Sequence, residues 1–91
     1  FAINDVVALG VLRYCFQHGV KVPEQLGVAG YDDIEQVSLL PIPLTTIHQR
    51  KYTVGKKAAE VLIGEIHDPS TSKQKVILQP ELVIRKTCGE E

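Results

Sequence analysis

The stretch Leu26-Gly27-Val28-Ala29-Gly30-Tyr31 constrains this chain more than any other, because it is a nearly unbroken apolar run that stops at two acids, Asp32-Asp33. A strand with one wet face alternates apolar and polar side chains, whereas a run without alternation is covered on both faces. Such a strand belongs to a sheet layered by helices, so the run predicts an α/β chain. A first cover lies upstream. Asn4 is a good N-cap, Val7, Ala8, Val11, Leu12 and Cys15 follow at helical spacing, and Gly19 suits a left-handed end, which predicts a helix over residues 5 to 18. Leu9 and Phe16 fall outside that stripe, so the helix has a second apolar face to bury.

Before the helix, Phe1-Ala2-Ile3 reads as the end of a strand whose beginning is missing, and the chain is expected to be a fragment. Ile34 to Leu40 has no clean periodicity, and Pro41 and Pro43 forbid a helix across the junction. Leu44-Thr45-Thr46-Ile47 predicts another strand. Gly55, Ala58, Ala59, Leu62, Ile63 and Ile66 then form one stripe with Lys56, Lys57, Glu60 and Glu65 off it, predicting a helix from about Tyr52 to His67 that stops before Asp68-Pro69. Lys75 to Gln79 and Leu82 to Lys86 are strand-like, and the tail Gly89-Glu90-Glu91 is expected to fray.

With 91 residues, 44% hydrophobic and 23% charged, the composition is that of a small globular domain and excludes disorder and low-complexity repeats. Ten Lys+Arg against eleven Asp+Glu give a net charge of -1, without the basic excess that draws a chain to nucleic acid. Cys15 and Cys88 are too few for a disulfide framework and are read as reduced thiols. No apolar run reaches the roughly 20 residues a membrane span needs.

Enzyme signatures are poor, and no catalytic residue is assigned. His18, His48 and His67 are scattered without ligand spacing, so no metal site and no cofactor are expected. The glycines form no phosphate cradle, and Ser38, Ser70 and Ser72 stand in no nucleophile elbow. Arg50, Lys51, Lys56 and Lys57 alternate with apolar residues and read as a solvated helix face. Polar groups do gather where an open α/β sheet binds its ligands, beyond the carboxyl ends of the strands. Asn4-Asp5 follows one strand and Asp32-Asp33 another. If the two strands are parallel neighbours, a carboxylate that accepts hydroxyl protons and an amide that both donates and accepts share one edge, as a polyhydroxylated ligand requires. Asn4 or Asp5 would serve equally as a helix cap and Asp33 as a turn residue. Turn formation needs only one acid of the pair, which favours Asp32 for binding.

The order Asn4-Asp5-x-x-Ala8-Leu9-Gly10, Gly19-x-x-Val22-Pro23, Val28-Ala29-Gly30-Tyr31-Asp32-Asp33, Pro43-Leu44-Thr45-Thr46-Ile47-x-Gln49, Gly55 and Pro80-x-Leu82-Val83-x-Arg85 resembles the carboxyl-terminal part of bacterial transcriptional regulators of the LacI/GalR family. The resemblance implies part of a class I periplasmic-binding-protein-like sandwich, a mostly parallel sheet flanked by helices. Residues 1–49 would belong to the carboxyl-side effector-binding subdomain, 50–79 to the amino-side subdomain, and 80–91 to the return strand and tail. It implies a cytoplasmic homodimeric regulator that binds a small effector, usually a sugar or sugar derivative and sometimes a purine, and meets operator DNA only through an amino-terminal domain absent from this sequence. Asn4 and Asp32 match effector-contacting positions. Asp5 and Gln49 match positions close to the cleft or the crossover. Leu9, Phe16, Val37, Leu39 and Leu40 fall where the family builds its dimer contact. A sugar-binding component of a transporter, which shares the fold, is the alternative. In a fragment of this kind the helix Tyr52 to His67 is expected either to repack on the chain's own short sheet or to associate through its apolar stripe.

Overall fold

A computed structural model describes residues 1–89; of the expected frayed tail, Glu90 and Glu91 lie outside the described residues. The chain divides into two compact units, one made of Phe1–His48 with the segment that begins at Glu81, the other of Gln49–Pro80.

The first unit is built around helix α1, Asp5–His18. Its start follows from Asn4, whose extended backbone lets the side-chain oxygen accept from Val7 N–H at 2.9 Å, and its end from Gly19 at φ 69°. Beside it the chain forms a small sheet. Ala2 N–H donates to Ala29 at 2.8 Å and Asp5 N–H to Tyr31 at 3.0 Å. Ala29 and Asp32 bridge in parallel to Thr45 and His48. Strand β1, Thr46–His48, pairs antiparallel with β2, Glu81–Val83, in the register Thr46↔Val83, Ile47↔Leu82 and His48↔Glu81. Ala8, Leu12 and Cys15 of α1 pack into one core with Ala2, Val22, Val28, Val37 and Leu44. Val37 and Leu44 are wholly enclosed, each withdrawing enough apolar surface to contribute about 1.5–3 kcal/mol.

The run Leu26–Tyr31 joins the sheet through parallel pairing but forms only a single-pair bridge at Ala29, not a continuous strand. Leu26 is exposed, Val28 is buried, and Gly30 lies where a Cβ would collide with the Asp5 carboxylate. The strand expected over Leu82 to Lys86 is confined to Glu81–Val83. Beyond it Arg85 exchanges backbone hydrogen bonds with the Thr45 hydroxyl, at 2.7 and 3.1 Å, and the chain turns into a short 3₁₀ segment, Lys86–Cys88.

In the second unit, helix α2 spans Lys51–His67, and none of its residues is buried. Val54, Leu62, Ile63 and Ile66 are all exposed. After α2, Asp68 Oδ1 accepts from the Ser70 hydroxyl at 2.6 Å and from its N–H at 3.1 Å, closing a tight polar turn. Lys75 to Gln79 forms no strand. Val76 and Leu78 instead line a shallow groove of about 380 Å³ with Val54, Ala58 and Leu62 of α2.

Candidate functional site

Three segments of the first unit end side by side, leaving Asn4-Asp5, Asp32-Asp33 and His48 at one edge of the sheet. The sequence expectation is that the first two clusters share an edge through parallel strands; the two segments do lie side by side, joined by the hydrogen bonds from Ala2 and Asp5 to Ala29 and Tyr31, while the parallel bridges join the second segment to Thr45 and His48.

Asp5 holds the edge together. It is fully buried, with Oδ1 accepting from the Thr46 hydroxyl at 2.6 Å and Oδ2 from Ile34 N–H at 2.9 Å. The Thr46 hydroxyl oxygen in turn accepts from Asp33 N–H at 3.3 Å. Burying a carboxylate is costly unless such donors satisfy it. Both oxygens of Asp5 are thus taken up inside the unit, Oδ1 by Thr46 of β1 and Oδ2 by Ile34, so at this edge the carboxylate is a brace and presents no surface to a ligand. Asn4 is half-buried; its cap uses Oδ1 and leaves the amide N–H donors outside that role.

Asp32 and Asp33 both have positive φ, 123° and 55°. Asp tolerates the left-handed region better than most residues, but two such residues in succession store strain. The turn is held nonetheless. Asp32 N–H donates to Ile47 at 2.9 Å, and Asp33 Oδ1 accepts from Arg85 Nη1 at 2.9 Å. Asp33 Oδ2 lies 3.0 Å from His48 Nδ1, which donates because an ionised carboxylate only accepts. Arg85 Nη1 also donates to the Leu44 carbonyl at 3.0 Å, tying the pair to the core. Asp32 is partly buried, and Gln49 opens the second unit.

Sequence reasoning singled out Asp32 but gave no role to Arg85 or His48. No local signal marked them, since Arg85 stands beside Lys86 at the end of its run and His48 closes a strand-like run without a charged neighbour. Among the expected dimer residues, Leu9, Phe16 and Leu40 come together on one apolar groove of about 300 Å³ with Leu12 and Ile42, and Leu39 is strongly exposed. Val37 is corrected: it is wholly enclosed in the core and has no surface to offer a partner. Among the described residues no three His, Cys, Asp or Glu side chains are grouped to hold a metal ion, and no helix is long and apolar enough to cross a membrane.

Residues 1–88 match the family model of the periplasmic binding protein-like domain. The HTH-type transcriptional repressor PurR of Vibrio parahaemolyticus is 47% identical over 87 residues, covering 96% of this chain. The chain spans 26% of that relative's length. Among solved structures, a LacI family transcriptional regulator from Enterococcus faecium with bound ribose is similar at TM-score 0.86 and 30% identity, over 96% of this chain and 33% of that one. The lac repressor dimer bound to operator and the anti-inducer ONPF is similar at TM-score 0.83 and 34% identity, over 96% of this chain and 27% of that one. With a family model matched along nearly its whole length and the same α/β architecture in both structures, the chain belongs to the periplasmic binding protein-like domain family.

Proposed function

We propose that this chain is the effector-binding and dimerisation portion of a LacI/GalR-type transcriptional regulator, with Asp32 and Asn4 contacting a sugar or sugar derivative. The observation that carries the reading is the backbone at Asp32-Asp33, where a strained turn at the carboxyl edge of the sheet is held by the bond of Asp32 N–H to Ile47 and of Asp33 to Arg85. Strain of this kind persists where a site needs a side chain in one position. Similarity to regulators solved with ribose and with operator supports the class.

On this reading the first unit is part of the carboxyl-side subdomain and the second unit belongs to the amino-side subdomain, with Gln49 at the crossover. Leu9, Phe16, Leu39 and Leu40 face a second copy of the chain. Operator contact resides in an amino-terminal domain outside this sequence, the protein acts in the cytoplasm, and it performs no catalysis. In the full-length protein, a thermal-shift screen with ribose, cellobiose, lactose and the purine bases should reveal an effector through a raised unfolding midpoint. Asp32→Ala should abolish that shift while DNA binding persists; an unchanged shift removes Asp32 from the site.

A further inference from the structure

We propose that Asp33, Arg85 and His48 form a positioning clamp that sets the affinity of the site through the backbone of Asp32, without touching the effector themselves. The inference rests on the reading of Asp32 as the effector contact.

Two consecutive non-glycine residues at φ 123° and 55° do not hold that geometry by local preference. Restraints from elsewhere in the first unit hold it. Upstream, Asp32 N–H is bound to Ile47 at 2.9 Å; downstream, Ile34 N–H is bound to the buried Asp5 at 2.9 Å. Between those anchors the side chain of Asp33 grips two bases at once, Arg85 Nη1 at 2.9 Å and His48 Nδ1 at 3.0 Å. The Asp33 and Arg85 side chains are 17% and 19% exposed, so their pair is shielded from water and holds its geometry more firmly than a surface ion pair. Both of its partners are anchored in turn, Arg85 to the Leu44 carbonyl and His48 by its place in β1, where it pairs with Glu81 of β2. A displaced side chain binds poorly, so loosening Asp33 weakens contacts that only Asp32 makes.

The test uses the full-length protein and whichever of ribose, cellobiose, lactose or guanine raises its unfolding midpoint. Titration calorimetry should show Asp33→Ala weakening binding of that compound by about tenfold or more, the effect of losing one well-placed charged contact. Asp33→Asn, which keeps tolerance of positive φ and one acceptor, should recover most of the loss. His48→Ala removes the more exposed partner and leaves the core closed, so it tests the clamp even if Asp33→Ala folds poorly; it should weaken binding by about threefold. Amide exchange at Asp33 and Ile34 should quicken in both Asp33→Ala and His48→Ala. Native affinity in Asp33→Ala and His48→Ala, with binding abolished in Asp32→Ala, overturns the clamp alone. Native affinity in Asp32→Ala, or no binding by any of the four compounds, overturns the effector reading; unchanged exchange at residues 32–34 overturns the clamp whichever compound binds.

Discussion

The two units of this chain satisfy their residues in opposite ways. In the first, a buried carboxylate, two threonine hydroxyls and an arginine link segments far apart in sequence, over a core that leaves Ala8, Val37 and Leu44 without exposure. In the second, a helix of 17 residues carries an apolar stripe of which no residue is buried, met within its unit only by the shallow groove it forms with Val76 and Leu78. Helical periodicity in a sequence thus announces that a face is meant to be covered, and it does not say that the cover lies in the same segment.

Substitutions should separate the two units sharply. Asp5→Ala is expected to cost the most, about 4 kcal/mol, because the Thr46 hydroxyl and Ile34 N–H are both left without their buried acceptor. Chemical denaturation of the variant against the native chain measures it. Leu44→Ala should follow at about 3 kcal/mol through the cavity left in the core, read by the same method. Leu62→Ala, on the exposed face of α2, should change stability of this chain by less than about 0.5 kcal/mol. A loss above about 2 kcal/mol would show that α2 is covered in solution and would erase the contrast.

The smallest effect concerns the turn after α2. Hydrogen bonds from the Ser70 side chain, then from the Ser70 backbone and the Thr71 side chain, hold the Asp68 carboxyl below its usual pKa against a slight opposing effect of burial. A lowered folded-state pKa adds stability above the unfolded value and loses it as pH falls through the folded one. Ser70→Ala should therefore move the Asp68 titration upward, toward the ordinary carboxylate value, which carbon-detected NMR would follow.

The elements were legible where one residue decides a boundary. Asn4 and Gly19 mark the two ends of α1, and the structure uses both as caps. The β-like run at Lys75 to Gln79 misled because apolar composition records a tendency to pair, whereas a strand exists only beside a partner. At the candidate site, position after a strand-like run favoured Asp32, whereas Asn4 read equally well as a helix cap and was set apart only by the family resemblance. The bond between Asp33 and Arg85, and the burial of Asp5 beneath Gly30, depend on which segments become neighbours, and no local pattern encodes that.

His48 and Glu81, where the chain leaves the first unit and returns to it, are register partners across an antiparallel pair. Seen from the first unit, everything between them is an insertion at the tip of a hairpin. Joining the two residues through a two-residue Asn-Gly turn, the connection such a pair favours, should yield a shortened polypeptide that keeps the sheet edge with Asp5, Asp32 and Asp33 in place. The first unit would then be a transplantable half-site, free to be studied or recombined apart from the helix that follows it.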